Sequence, residues 1–252
     1  MTTITTSENK KIYFASDQHL GAPTPEASLP REKKFVAWLD AIKEDAGTVF
    51  LLGDLFDFWF EYKTVVPKGF VRVLGKLAEL KDAGIDIYFF VGNHDLWMRD
   101  YFQKELNIPV FHEPQEFDIN GKLFLIGHGD GLGPRDYGYK RMKKVFTFPF
   151  FKWLFRWLHP DIGVKLGHYF SVKNKLISGD EDAQFLGEEN EWLALYCRKK
   201  LTEKHYDFFI FGHRHLPLEI ELNSSSTYIN LGDWIQYFTY GEFMKTFKLK
   251  EF

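Results

Sequence analysis

Seven side chains in this sequence have the types and spacing to work together on one chemistry. Asp17 and His19 follow an apolar run at Lys11–Ala15, Asp54 follows Thr48–Leu52, and Asn93 follows Ile85–Val91. His128 follows Lys122–Ile126, and His213 and His215 follow Asp207–Phe211. The set offers carboxylate and amide oxygens and imidazole nitrogens, with no sulfur. Such donors suit Mn, Zn or Fe rather than a thiolate cluster. They are too many for one tetrahedral zinc and match two divalent cations that share a bridging carboxylate. Taken singly, each has an ordinary structural use, as a turn or cap residue or a packed histidine. Recurrence at five run ends is what points to a metal centre. Gly53, Gly92, Gly127 and Gly212 precede four of these residues and permit tight turns there.

The runs that position them are short and rich in β-branched and aromatic residues, as buried strands are. Helical patterns lie between them, near Arg31–Asp45 and Gly69–Ala83. This β-α-β-α-β order predicts an α/β fold with helix crossovers. In such sheets, ligand sites form outside the carboxyl ends of the strands. Asn120-Gly121 sits between Glu116–Ile119 and Lys122–Ile126 and predicts a hairpin. A helix is expected near Phe185–Lys204, with further strands at Thr227–Leu231 and Phe243–Leu249. There is no repeat and no linker, so residues 1–252 read as a single domain with an inserted segment.

Composition narrows the class. The chain is 45% hydrophobic and 27% charged, which excludes a disordered tail protein. Its lone cysteine, Cys197, excludes an internal disulfide and any cysteine zinc cluster. A net charge of −3 gives no global basic field, so no nucleic-acid partner is expected. That average hides a division. Residues 134–175 hold ten Lys and Arg against two acids, Asp136 and Asp161. Within that stretch Phe146–Trp157 has seven aromatics in twelve residues. The polar start, Met1–Lys10, lacks an apolar signal core, and no run approaches the roughly 18–20 apolar residues of a membrane span. An intracellular protein is expected.

Pro149 is placed as the first residue of a helix. Lys152 and Arg156 then share one stripe, with aromatics around the rest. Such a helix either lies at a membrane surface, its bases toward anionic headgroups, or packs in the core with two snorkelling bases. Its position between two site motifs favours the first.

Asp17-x-His19, Gly53-Asp54, Gly92-Asn93-His94-Asp95, Gly127-His128 and Gly212-His213-x-His215 together resemble the motif set of the calcineurin-like metallophosphoesterases, in order, across residues 11–216. The resemblance implies a four-layer αββα sandwich. It implies that Asp17, His19, Asp54 and His215 hold one metal and that Asp54, Asn93, His128 and His213 hold the other, Asp54 bridging. It also implies phosphoester hydrolysis by a water activated between two cations, with Asp54, Asn93, His94 and His128 as catalytic residues.

A closer resemblance concerns substrate. Asp17-Gln18-His19-Leu20-Gly21, Gly53-Asp54-Leu55-Phe56-Asp57-Phe58-Trp59, and His128-Gly129-Asp130-Gly131-Leu132 followed by Asp136-x-x-Tyr139 are similar to the UDP-2,3-diacylglucosamine pyrophosphatases of lipid A biosynthesis. That group implies a helical lid, here residues 134–184, over the acyl chains. It also implies two Mn2+ ions, attack at the α-phosphorus, and a cytoplasmic enzyme peripheral on the inner membrane. Asn93, His94, Asp136, Tyr139 and His213 would contact substrate. One departure is His94, where well-known members of the group have Arg and general phosphoesterases have His. A sugar phosphate leaves without needing a proton, so His94 is expected to stabilise charge, with Asp95 orienting it or capping a helix. The alternatives are a broader-specificity metallophosphoesterase, a non-catalytic binding module, or a nuclease that stacks bases on the aromatic stretch.

Overall fold

Buried apolar runs and hairpins build, among the described residues, two six-stranded sheets packed face to face, with helices on both outer faces. The computed structural model describes residues 1–134, 137–178, 185 and 187–252, and for residues 172–178 the backbone alone. In chain order the elements are β1 (Thr2–Ile4), β2 (Lys11–Ala15), α1 (Pro25–Ile42), β3 (Ala46–Leu52), α2 (Val71–Asp82), β4 (Asp86–Phe90), α3 (Tyr101–Leu106), β5 (Val110–Phe111), β6 (Gln115–Ile119) and β7 (Lys122–Ile126). They continue with α4 (Tyr137–Thr147), α5 (Pro149–Arg156), α6 (Pro160–Ser178), α7 (Trp192–Leu201), β8 (Phe208–Phe211), β9 (Pro217–Asn223), β10 (Ser226–Leu231), β11 (Thr239–Phe243) and β12 (Phe247–Glu251).

One sheet has the order β12-β11-β2-β3-β4-β5 and the other β1-β6-β7-β8-β10-β9. Strands β2 to β5 run parallel to one another, as do β7 with β8 and β8 with β10. Among the described residues, three apolar clusters fill the gaps between four layers. The first lies between α1, α2 and the first sheet, and includes Phe35, Trp38, Leu77 and Val49. The second lies between the sheets, where Phe14, Phe50 and Phe90 meet Phe117, Phe124 and Ile229. The third packs Leu193, Ala194 and Cys197 of α7 on Phe209 and Tyr228. The expected αββα sandwich is the architecture found.

Local chemistry explains the boundaries. Thr24 caps α1 by accepting from Ala27 N (3.2 Å), and Pro25 occupies the first turn. The helix therefore starts before the expected Arg31 and contains Pro30. Asn120 and Gly121 both take the left-handed conformation, at φ of 53° and 79°, as a two-residue hairpin requires. The expected strand Phe243–Leu249 is two strands. Phe243 pairs with Phe247, so the chain reverses between β11 and β12. The helix expected over Phe185–Lys204 is found at Trp192–Leu201; Leu186 of that span lies outside the described residues. β9 carries the alternation Leu218, Ile220, Leu222, a strand signal readable in the sequence although it leads to no site motif.

Helices α4 to α6 follow β7 and lie near the carboxyl ends of the strands. Phe155 of α5 packs among Phe58, Phe60 and Trp97, with ring centroids at 6.4, 4.7 and 4.6 Å. Gly167 of α6 meets the Phe58 ring so closely that an added Cβ would lie 2.2 Å from it. The expected amphipathic helix is present, but its orientation differs from expectation. Phe155, Lys152 and Arg156 are half-buried, and burial with Arg99 beside it lowers the Lys152 ammonium from its ordinary value. Phe150, Phe151, Trp153, Leu154 and Trp157 face outward, the last 74% exposed. The core-helix alternative therefore fails, and the bases do not form the outer stripe. Among the described residues no helix is long and apolar enough to cross a membrane.

Phe50 stacks on Phe14 at 5.1 Å and meets Phe117 edge-on at 5.0 Å, joining the two sheets. Phe50→Ala should lower stability by about 3–5 kcal/mol in urea unfolding, through a cavity in this layer.

Candidate metal centre

The loops leaving β2, β3 and β4 of one sheet meet those leaving β7 and β8 of the other. All seven donors named from the sequence converge at this seam. Asp17 and His19 are fully buried, and Asp54 is 1% exposed. Asp54 Oδ2 lies 3.6 Å from His19 Nε2 and 3.5 Å from His128 Nε2, between two donor sets. On one side, His215 Nε2 lies 3.5 Å from Asp17 Oδ1 and 3.2 Å from His19 Nε2. On the other, Asn93 Oδ1 lies 3.1 Å from His128 Nε2 and 3.0 Å from His213 Nδ1.

Outer contacts aim the imidazoles. His128 Nδ1 donates to Leu52 O at 2.7 Å, and His215 Nδ1 donates to Asp233 Oδ2 at 3.1 Å. His19 Nδ1 faces Asp57 Oδ1 at 3.3 Å. Each arrangement leaves Nε2 pointing inward, as second-shell carboxylates and carbonyls do for metal-ligating histidines. Asp17 Oδ1 is buried without a hydrogen-bond partner, although the Oδ2 of the same group accepts from His213 N at 2.9 Å. An inward carboxylate oxygen with no donor, beside two imidazole nitrogens facing each other, fits a bound cation. Oxygen and imidazole donors suit a first-row divalent ion. Among the described residues, Asp17, His19 and His215 form one group with ligand atoms within 4.8 Å of one another, Asp17, Asp54 and His128 a second, and His19, Asp54 and His94 a third.

The charges agree. Burial would raise the Asp17 carboxyl, but His215, His19 and His128 hold it below its ordinary value. Burial would also raise Asp54, yet His128, His94 and His19 hold it well below. Burial works to lower His128, and the Asp54 carboxylate overcomes it and lifts His128 to about 10. These buried carboxylates demand positive charge, and a divalent cation supplies it without a proton.

The ligand residues themselves are bent. Asp17, His19, Asp54, His213 and His215 have φ of 59°, 45°, 53°, 70° and 51°. Side-chain-bearing residues rarely adopt this region, and held together they are a sign of a functional constraint. The glycines before them serve mainly as space. At Gly92 an added Cβ would lie 2.2 Å from Asp54 Oδ1.

His94 sits against the first donor set, its ring 4.7 Å from that of His19. Its Nδ1 donates to Asp57 O at 3.0 Å and lies 2.8 Å from Ser171 Oγ of α6, which donates to Asp57 Oδ2 at 2.7 Å. Asp57 and Ser171, rather than Asp95, orient this ring. Asp95 instead accepts from Gly92 N at 2.6 Å and Leu55 N at 3.1 Å, tying two site loops together. Burial, then the nearby Asp54 carboxylate, pushes Asp95 up to about 8. Tyr139 OH donates to Asp130 Oδ2 at 2.5 Å, and Lys143 Nζ pairs with the same oxygen at 2.7 Å. The Tyr139 ring is 6.4 Å from that of His213. Asp136 lies outside the described residues.

Sequence reasoning missed Asp57 and Asp233. Asp233 carried the same signal as the named ligands, an apolar run ending in Leu231-Gly232-Asp233. Asp57 lies three residues past Asp54 and shows its role only through tertiary contacts.

Comparison with known proteins agrees with this geometry. The family model described as calcineurin-like phosphoesterase matches residues 10–217. A UDP-2,3-diacylglucosamine hydrolase of Porphyromonas gingivalis is 39% identical over 249 residues, 91% of this chain and 92% of that protein. Proteins of the same name from Actinobacillus succinogenes and Haemophilus influenzae are each 27% identical, over 89% of this chain and 92% and 91% of their own lengths.

Gly92→Ala should drive a methyl group into Asp54. Loss of about 1–3 kcal/mol in thermal unfolding, together with weakened Mn2+ binding in titration of the stripped protein, is the expected outcome.

Proposed function

We propose that this chain, which belongs to the calcineurin-like phosphoesterase family, hydrolyses UDP-2,3-diacylglucosamine to UMP and 2,3-diacylglucosamine 1-phosphate. The observation that carries the reading is Asp54 Oδ2 shared between two convergent donor sets. Relatives named for this substrate, aligned along nearly the whole chain, supply the substrate class. Asp17, His19, Asp54 and His215 would hold one Mn2+, and Asp54, Asn93, His128 and His213 the other. When bound, two such cations acidify water and offset charge on phosphoryl oxygens.

The chain's own groups do the rest. A water adds its oxygen to the α-phosphorus, and the bridging oxygen leaves with the lipid phosphate. That leaving group is a phosphate, so it needs charge stabilisation more than a proton. His94, acting as an imidazolium, gives its Nδ1–H to Asp57 O and offers its Nε2–H to that charge. Asn93 and His213 would contact the phosphoryl oxygens, and Tyr139 and Asp136 the sugar.

Helices α4 to α6, the described part of the lid expected over residues 134–184, act as a lid within a single domain. Its aromatic helix takes up the acyl chains and docks the protein on the cytoplasmic face of the inner membrane. The outward Phe150, Trp153 and Trp157 support this, because apolar side chains of this size lie exposed together on one helix. The half-buried Lys152 and Arg156 leave the anionic-lipid attraction to other bases of this stretch.

In detergent micelles with Mn2+, cleavage of UDP-2,3-diacylglucosamine should exceed that of UDP-sugars and p-nitrophenyl phosphoesters by orders of magnitude. Equal rates on all would replace this reading with a broad phosphoesterase. The combined variant F150A/W153A/W157A should lose tenfold or more in partition to vesicles of anionic phospholipid, read by flotation, with its unfolding temperature retained; about 1.5–3 kcal/mol accompanies full burial of one such side chain.

A further inference from the structure

We propose that Arg31 is the positioning residue for the Asp17–His19–His215 end of the centre, pinning the His19 backbone and offsetting the two carboxylates behind that end. The assignment rests on the metal-centre reading above. Arg31 lies on α1, and its Nη2 reaches back to donate to His19 O at 2.6 Å and Ala22 O at 2.5 Å. His19 holds a left-handed backbone, which persists only where neighbours enforce it. Its N–H is held by Asp54 O at 2.8 Å, and its carbonyl by Arg31, so both sides of the strained residue are fixed.

Charge is the second observation. Burial works to lower the Arg31 guanidinium, and among the described residues the carboxylates of Asp57 and Asp233 work to raise it. Asp57 faces the outer nitrogen of His19 at 3.3 Å, and Asp233 accepts from the outer nitrogen of His215 at 3.1 Å. Arg31 is thus linked through these carboxylates to both imidazoles, whose Nε2 atoms meet at 3.2 Å. Arg31 Nε is itself buried without a hydrogen-bond partner. A side chain kept there despite that cost is held by its charge and its two carbonyl bonds. Without it, the His19 carbonyl loses a donor, Asp57 and Asp233 lose a nearby positive charge, and the imidazoles lose their aim. Outer partners of metal ligands alter metal affinity in just this way.

Mn2+ titration of the stripped full-length chain by calorimetry, with electron paramagnetic resonance of the loaded protein, tests the assignment. Wild type should bind two ions and give an exchange-coupled spectrum. Arg31→Met should weaken one ion by about 10–100-fold, leave the other near its wild-type affinity, and give an uncoupled spectrum. Arg31→Lys keeps the charge and a donor and should recover most of the loss. Arg31→Gln keeps a donor without the charge and should fall between Lys and Met, which keeps the test open if Arg31→Met does not fold. Wild-type affinity for both ions in Arg31→Met, or in Arg31→Gln where Met is unfolded, overturns the assignment. A wild-type chain that takes up fewer than two ions overturns the metal reading and this assignment with it.

Discussion

Buried donor atoms at the seam of the two sheets repel one another, and the surrounding loops are arranged around that repulsion. Asp17 and Asp54 are packed with His19, His128 and His215 at the seam of two sheets, largely out of reach of solvent. Two inward imidazole nitrogens meet at 3.2 Å, and a carboxylate oxygen beside them has no donor. Buried charge of one sign is tolerated only when it is paired or coordinates a metal. The site is therefore built for cations, and its cost must be met by the surrounding fold.

The fold meets it through depth of packing and through layers of support. The aromatic seam between the sheets fixes where their strands end, so that five loops reach one point. Five of the ligand residues sit in the left-handed region, a strained choice that a rigid scaffold can enforce. Behind them Asp57, Asp233, Leu52 O and Asp95 aim rings and tie loops. The segment after β7 adds a contact from outside the sandwich. Ser171 of α6 completes the surroundings of His94, so the helical segment proposed to meet the lipid also touches the side chain proposed to offset charge.

Much of the centre was legible because each ligand ends an apolar run, and a buried strand delivers its last residues to one edge of the sheet. The Asn120-Gly121 hairpin was legible for a similar local reason, since two left-handed residues in succession call for that pair. Asp57, Ser171 and Arg31 were not, because their partners are brought to them only by folding; Ser171 is 114 residues from Asp57. The amphipathic pattern of α5 announced two faces but not which one the protein would cover. Phe155 and the Phe58–Trp97 cluster decided that, turning the bases inward and the aromatics out. The single apolar run at Phe243–Leu249 likewise hid a chain reversal that only pairing with Phe247 reveals.

In the proposed reaction a cation-dependent water attacks the α-phosphorus of a lipid-linked nucleotide. Hydrolysis in 18O-labelled water, with metal-stripped and Mn2+-loaded protein and mass analysis of both products, tests it most directly. Cleavage is expected in the loaded protein alone, with one labelled oxygen in UMP and none in the lipid phosphate. Label in the lipid phosphate, or equal cleavage by the stripped protein, would contradict it.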